Sequence, residues 1–389
     1  MIAVRPPPTT RAGRLVDDRF ARFFDWATVG PVSLAGVASR NAFLARLEES
    51  PHPAAQLRHE AHVIDSTRAL VGRFLGAADA HQIVFGRSVS ALFSLIAASL
   101  AGTRHRSIVV LTDTEHPVAR LCWVAARRYR PGLRIVVVPP TDTGLVDLDA
   151  VAAAVDERCI AICAAHVARM SGVIQPVGAL AQLAHDTGAV LIVDGAQAAG
   201  RVPVDLRALD CDAYLGSGQK SLLAGNGITF MAADVALLER IQPVTWSSAN
   251  IRFAGPPGDD TLTLVDTPRR FEPDPPDLAS TYALRASVEE FLWLGMQNVQ
   301  RHITETASVL TQAMNEIGLR PRYRLDANNA GMVSYNLACS CARADILVEQ
   351  LRVESLAVRS AGELLRVSLH LANSATEVLE LAHAVRRHV

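Results

Sequence analysis

Two short motifs lie 20 residues apart, Asp194-Gly-Ala-Gln197 and Ser217-Gly-Gln-Lys220. The first follows an apolar run that begins at Ala189, which predicts a buried strand ending at the aspartate. In the second motif, Lys220 lies in a loop among glycine and serine residues, where its amine could reach an aldehyde. Each feature alone is ordinary, because many strands end in aspartate and many loops contain lysine. Their order along the chain is what indicates a site.

The residue types in these motifs suit a cofactor built on a pyridine aldehyde. A carboxylate at a strand end, here Asp194, can pair with a protonated pyridine nitrogen and so keep the ring an electron sink. Gln197 can donate a hydrogen bond to a phenolic oxygen on the same ring. Lys220 can attack the aldehyde, and a desolvated amine is the better nucleophile.

Apolar runs alternate with helical patterns on both sides of these motifs. Continuous apolar strands separated by helices indicate an α/β fold with a mainly parallel sheet covered on both faces. Such sheets bind ligands beyond the carboxyl ends of their strands. A helix is predicted at 176–187, and strands are predicted at 107–112, 134–139, 161–165, 189–194 and 227–231.

The last third of the chain has a different pattern. Residues 254–260 and 272–277 are rich in turn-forming types. Beyond them we predict one long helical stretch at 278–317, strands at 331–336 and 364–368, and helices at 343–351 and from 374. We therefore predict an amino-terminal segment at 1–20, a large domain at 21–277, and a linker helix with a small α+β domain at 278–389.

The composition of the chain limits the kinds of partner that we expect it to bind and the cell compartment in which we expect it. The formal net charge is -1 and no basic run dominates, which argues against a nucleic-acid partner. No stretch of about 18 apolar residues appears, so we expect no membrane span. The amino terminus lacks a signal-peptide core, which favours a cytoplasmic protein. Cys339 and Cys341 form the closest cysteine pair but lack zinc-site spacing, so we expect no metal.

With the Gly-rich loop at 224–227, the two motifs resemble the signature of the class V aminotransferase superfamily of pyridoxal phosphate enzymes. That group includes cysteine desulfurases, selenocysteine lyases, kynureninases and isopenicillin epimerases. The resemblance runs from about residue 25 to the carboxyl terminus. It implies fold type I, with a mostly parallel seven-stranded sheet in the large domain. It also implies pyridoxal 5'-phosphate as cofactor, Lys220 as the Schiff-base lysine, an amino acid substrate and a homodimer.

The resemblance implies further cofactor contacts. His116, in the stretch 114–117, corresponds to the histidine that stacks on the cofactor ring. The turn at 85–91 resembles the start of the phosphate-binding helix, where the amides of Val89 and Ser90 would hold the phosphate. Ser217 and Gln219 would add side-chain donors to that phosphate, and Gln219 replaces the family's histidine.

Three arginines are the candidate substrate contacts. Arg366, in a family-like Arg-Val-Ser strand, would clamp the substrate α-carboxylate. Arg359 resembles an arginine that precedes the desulfurase cysteine loop and would be a second contact. Arg169 stands where the family has an asparagine, and would bring a cation to the substrate carboxylate or the phenolate, or point away.

One departure from the family bears on the reaction. Cysteine desulfurases carry a catalytic cysteine between the equivalents of Arg359 and Arg366, whereas residues 360–365 here contain none. This favours a lyase that eliminates a β-substituent, of the carbon–sulfur-cleaving type, over a persulfide-forming desulfurase. An aminotransferase or epimerase of a specialised amino acid would use the same residues. A pyridoxal phosphate-binding protein without catalysis is the third possibility.

Overall fold

The computed structural model describes residues 15–49, 53–79, 82–102, 105–256, 258–259, 261–323, 328–337 and 343–389. Most of the predicted segment 1–20 and both Cys339 and Cys341 lie outside these residues. The strands of the largest sheet are β1 (Ile83–Gly86), β2 (Ile108–Leu111), β3 (Arg134–Val137), β4 (Cys159–Ala165), β5 (Val190–Asp194), β6 (Ala213–Ser217) and β7 (Thr229–Ala233).

This sheet has seven strands in the order β1-β7-β6-β5-β4-β2-β3. Neighbouring strands from β3 to β6 are parallel, and β7 is antiparallel to both β1 and β6. The predicted mostly parallel α/β sheet is confirmed. Strands β1 and β6 were not predicted, although β6 lies between β5 and β7 near the middle of the sheet.

Continuous apolar strands arise because the sheet is buried on both faces. In β5, Leu191 and Val193 belong to one hydrophobic core, while Val190 and Ile192 belong to the core on the opposite face. Successive side chains of a strand point to opposite faces, so both sets must be apolar.

The helices that surround the sheets are α1 (Leu34–Glu49), α2 (Pro53–Phe74), α3 (Val89–Ala101), α4 (Val118–Ala126), α5 (Leu148–Ala154), α6 (Val177–Asp186), α7 (Leu206–Leu209), α8 (Val235–Arg240), α9 (Leu278–Leu294), α10 (Met296–Glu316), α11 (Ala344–Val353) and α12 (Ala375–Arg386).

The prediction of one helical stretch over 278–317 was wrong in one respect. The stretch forms two helices, α9 and α10, that meet at Gly295. Gly295 has a φ of 76°, which a glycine adopts without steric penalty and which ends an α-helix. The apolar periodicity continues across the junction because both helices bury one face in the same core, and so it conceals the break.

A second sheet in the carboxyl-terminal part has the order β10-β12-β11. Its strands are β10 (Met332–Asn336), β11 (Arg359–Ala361) and β12 (Leu364–Ser368). Amino-terminal residues add to it: Phe23 pairs with Ala357, and Asp25 pairs with Ser368. The indole of Trp26 donates to Asn373 Oδ1 at 2.9 Å and fixes this attachment. The proposed division into domains stays a prediction.

A third, two-stranded sheet pairs β8 (Ile251–Ala254) with β9 (Leu262–Leu264) in the loop-like stretch that precedes α9. In the described residues, every helix is too short or too polar to cross a membrane.

Candidate active site

The carboxyl ends of the parallel strands converge on one cavity of about 300 Å³. The ends of β2, β4, β5 and β6 and the segments that follow them supply about half of the residues that border it, as expected for a sheet of this kind. The structure brings all the predicted site residues to this cavity: Val89, Ser90, His116, Arg169, Asp194, Gln197, Ser217, Gln219, Lys220, Arg359 and Arg366. Their individual roles stay predictions. Bordering residues that sequence reasoning missed are Ala27, Thr28, Ser88, Val118, Ala196 and Thr229.

Asp194 is the last residue of β5 and is almost fully buried. The backbone N–H of Ala196 donates to its Oδ1 at 2.9 Å, which fixes the carboxylate at the cavity wall. The next residue must be glycine, because a Cβ at Gly195 would lie 2.2 to 2.4 Å from atoms of the Tyr214 side chain. The Asp-Gly pair therefore lets the strand end close against β6 while the carboxylate faces the cavity.

Lys220 lies in the turn that follows β6, and its neighbour is held from two sides. Arg201 Nε donates to Ser221 Oγ at 2.7 Å, and His370 Nε2 lies 3.0 Å from the Ser221 carbonyl oxygen. Burial lowers the pKa of the Lys220 amine, the Asp194 carboxylate opposes this, and Arg201 is the next group that lowers it. A lowered pKa increases the neutral, nucleophilic fraction of the amine.

Sequence reasoning missed a signal at this position. Lys220 is the only lysine in 389 residues, and the other 37 of the 38 basic residues are arginine. Lys220 is therefore the only side-chain amine in the sequence, and it borders the cavity. Unlike the guanidinium of arginine, an amine can lose its proton. Arginine cannot replace it there, because a guanidinium stays protonated.

The predicted phosphate cradle is the amino terminus of α3. Ser88 caps this helix by accepting from Ala91 N–H at 3.1 Å. The amides of Val89 and Ser90 occupy the first helical positions, where no acceptor exists within the helix. These donors border the cavity together with Ser217 and Gln219. The set suits a phosphate group, because unpaired amides and the helix dipole both favour an anion.

His116 begins the turn before α4. Its Nδ1 accepts from Val118 N–H at 3.2 Å, which places any ring proton on Nε2. Burial lowers the pKa of His116, the positive charge of Lys220 lowers it further, and Asp194 opposes both. A neutral imidazole at the cavity wall suits the predicted stacking on a cofactor ring.

The adjacent Glu115 was not among the predicted site residues. It is buried, and its Oε2 accepts from Thr112 Oγ1 and from Thr114 N–H, each at 3.0 Å. Burial raises the pKa of Glu115 to about 7. This carboxyl group anchors the turn that presents His116.

Gln197 makes a contact that sequence reasoning did not foresee. Its Nε2 donates to the carbonyl oxygen of Ala27 at 2.8 Å, so one of its two N–H groups is occupied. Its Oε1 is buried and has no protein partner. The predicted bond to the ring oxygen stays a prediction and would use the second N–H. A buried polar atom that lacks a partner at the cavity wall is consistent with a ligand there.

Arg366 is held by the amino-terminal segment. Its Nη2 donates to Asp25 Oδ1 at 3.0 Å and to Thr28 Oγ1 at 2.8 Å, and Nη1 donates to the Arg169 carbonyl oxygen at 3.3 Å. Its Nε is buried and has no protein partner. Three of the five N–H groups of the guanidinium are therefore occupied and fix it in place, and two remain, one on Nη1 and one on Nε, which suits a clamp for a carboxylate.

Replacing Arg366 with alanine should raise the apparent KM for the amino acid about 10- to 100-fold, because one charge-assisted pair is lost. The visible spectrum of the resting holoenzyme should not change, since Arg366 is assigned to the substrate. Steady-state kinetics and absorption spectra measure the two effects. Arg352→Ala, which removes an exposed ion-paired arginine, is the control. If the resting spectrum collapses in the Arg366 variant, its pair with Asp25 is structural and the clamp assignment is wrong.

The donor set fits pyridoxal phosphate group by group. Amides and hydroxyls would hold a phosphate, Asp194 would pair with a pyridine nitrogen, and the only lysine borders the same cavity. In the described part of the chain, no group of three or more histidine, cysteine, aspartate or glutamate side chains could hold a metal ion.

Comparisons with known proteins agree with this fit. A profile of the family "Aminotransferase class-V" matches residues 35–381. A probable cysteine desulfurase of Vibrio cholerae is 28% identical over 346 residues, which covers 84% of this chain and 82% of that protein. A cysteine desulfurase from Thermococcus onnurineus superposes with a TM-score of 0.86 at 23% identity over 94% of each chain. A cystine C–S lyase, solved with its product cysteine persulfide, superposes with a TM-score of 0.86 at 19% identity over 95% of this chain and 98% of that chain.

These two structural likenesses show the fold, and the profile match, which spans most of the chain, shows the family. The predicted fold type and the predicted cofactor are both confirmed. The chain belongs to the class V aminotransferase family, and its cofactor is pyridoxal 5'-phosphate.

Proposed function

We propose that this enzyme is a lyase that eliminates a β-substituent from an amino acid by cleaving a carbon–sulfur bond. The observation that carries the proposal is the tight turn between β11 and β12. Ala361 pairs with Leu364, so only Gly362 and Glu363 connect the two strands. A turn of two residues leaves no room, at this position, for a loop that would bring a cysteine to the substrate.

The cysteines elsewhere support the same reaction. None of the residues that border the cavity in the described structure is a cysteine. Burial raises the pKa of each described thiol, which disfavours the nucleophilic thiolate; these are Cys122, Cys159, Cys163 and Cys211. The curated relatives are named cysteine desulfurases, so the case against a persulfide relay rests on this chain's own residues.

The residues have clear tasks in such an elimination. Bound pyridoxal phosphate supplies an electron sink for the charge that develops at the α-carbon. Lys220 Nζ, with its lowered pKa, accepts the α-proton, and Arg366 holds the α-carboxylate. Asp194 keeps the pyridine nitrogen protonated. The sulfur then leaves with the electron pair of the carbon–sulfur bond and takes up a proton.

A product assay with an S-substituted cysteine tests the proposal. The expected products are thiol, pyruvate and ammonium in equal amounts, because elimination followed by addition of water consumes one substrate and one water for each set. Chromatography and a pyruvate assay measure them, with Lys220→Ala as the inactive control.

Other products would identify another reaction. Alanine from cysteine would indicate a desulfurase, an oxo acid together with a pyridoxamine cofactor would indicate an aminotransferase, and an inverted α-carbon would indicate an epimerase. A cofactor spectrum that no amino acid perturbs would indicate binding without catalysis. The homodimer and the cytoplasmic location remain predictions from the resemblance and from composition.

A further inference from the structure

The substrate end of the cavity has more positive than negative charge. Three guanidinium groups border it, those of Arg169, Arg359 and Arg366. Asp25 lies against two of them: its Oδ1 is 3.0 Å from Arg366 Nη2, and its Oδ2 is 3.8 Å from Arg359 Nη1. For the Arg169 guanidinium, the described residues offer only the sulfur of Met170, at 3.6 Å. Asp25 therefore pairs with two of the three cations, and among the described residues no carboxylate lies within ion-pair distance of the third, Arg169.

Backbone geometry holds these cations together despite their repulsion. Arg359 and Arg366 are directly opposite each other in the antiparallel pair β11–β12, so their side chains share one face of the sheet. Like charges in that position are destabilising. The Arg366 guanidinium also contacts the Arg169 backbone, which brings the third arginine to the same corner.

A fourth arginine behind this corner adds to the repulsion. Arg201 is completely buried, and its hydrogen bonds are to Ser221 and to the carbonyl oxygens of Ala330 and Leu369. Burial and the charge of Arg366 lower the pKa of Arg201 to about 9. A cluster of this kind needs anions to offset its charge, and it borders an open cavity.

Counting charges indicates what the ligand must supply. The α-carboxylate of an amino acid offsets one guanidinium, and Asp25 offsets a second. Of the three guanidinium groups that border the cavity, one therefore remains without a counterion when the substrate carries a neutral side chain, and the buried Arg201 behind them adds further positive charge. Asp194 does not supply the missing charge, because it belongs with the pyridine nitrogen of the cofactor.

We propose that the substrate carries a second anionic group, such as a carboxylate or sulfinate, on its side chain, and that Arg169 and Arg359 bind it. This inference rests on the proposed function only in taking an amino acid as the substrate. The exposure of the arginines suggests how the substrate lies. The Arg366 side chain is 7% exposed and that of Arg359 is 55% exposed. The α-carboxylate therefore lies deep, and the side-chain anion lies toward the mouth.

A matched pair of ligands tests this inference. L-2-Aminoadipate and its side-chain amide, L-homoglutamine, have nearly the same shape, differ by one negative charge, and carry no β-substituent that the enzyme could eliminate. Calorimetric titration of the holoenzyme should give a dissociation constant about 10- to 100-fold lower for the acid, as expected for one charge-assisted pair. Equal affinities for the two ligands would overturn the proposal.

Substitutions then assign the preference to the arginines. Arg169→Gln and Arg359→Gln should each reduce the ratio of the two dissociation constants about 10-fold, and Arg169→Lys should retain part of it. Arg127→Gln, an exposed arginine remote from the cavity, should leave the ratio unchanged. If Arg169→Gln instead shifts the visible band of the ligand-free holoenzyme and leaves the ratio intact, Arg169 serves the cofactor's phenolic oxygen and the proposal fails.

The two proposals can fail separately. Binding constants do not depend on which bond breaks, so a preference for the acid would stand even if the products were alanine or an oxo acid. Conversely, the enzyme could form pyruvate equally well from neutral and acidic substrates and bind both with equal affinity. That result would support the lyase proposal and refute the proposal of a second anionic group on the substrate.

Discussion

Replacing Lys220 with alanine should abolish covalent attachment of pyridoxal phosphate and lower kcat at least about 1000-fold. We assign to this side chain both the amine that binds the cofactor aldehyde and the base that accepts the α-proton, so one substitution should remove two functions. Borohydride reduction followed by peptide mass spectrometry measures attachment. In the wild-type enzyme, one cofactor mass should appear on the peptide that contains residue 220.

The composition of the chain lets this experiment identify the attachment site without interference from other lysines. Because Lys220 is the only lysine, the α-amino group of the amino terminus is the only other alkyl amine that could be reduced onto the cofactor. Peptide mapping separates the two positions. Lys220→Arg retains the positive charge and serves as the matched variant, and it should fail as completely as alanine. A reducible cofactor adduct that persists in the alanine variant would show that the assignment is wrong.

Replacing Asp194 with asparagine should lower kcat about 100- to 1000-fold while Lys220 still attaches the cofactor. An amide cannot hold a proton on the pyridine nitrogen, so the ring loses much of its capacity to accept electrons. Steady-state kinetics and borohydride trapping distinguish the two effects. Asp210→Asn, at an exposed position far from the cavity, is the matched control.

The same substitution should change the protonation of the lysine in a known direction. Asp194 raises the pKa of Lys220 by favouring the charged amine, so its removal should lower that pKa further below its ordinary value. In cofactor-free protein, the pH dependence of Lys220 acetylation reports the change. A midpoint that stays in place or moves to higher pH would show that the two side chains do not interact as the structure indicates.

Local sequence patterns anticipated the sheet well but missed some of its strands. Strands β2 to β5 are dominated by apolar runs that need no context to be recognised. Strands β1 and β6 each contain a glycine, and β6 also contains a serine, so the apolar run in each is interrupted. Both segments form strands because neighbouring strands supply their hydrogen bonds. The residues within each segment do not reveal those partners.

From the sequence, the two motifs and the family resemblance identified eleven residues that meet at the cavity, and several of them do so because they follow the carboxyl ends of parallel strands. Arg359 and Arg366 lie instead on strands of the second sheet. Only the tertiary structure decided how these residues are held. Asp25 reaches Arg366 across 341 residues of chain, and Gln197 donates to Ala27 across 170. Such pairs leave no trace in local composition or periodicity, because they form only when distant segments pack together. The sequence is therefore enough to identify Lys220, whereas the charged groups that surround it come together only because the fold packs distant segments against each other.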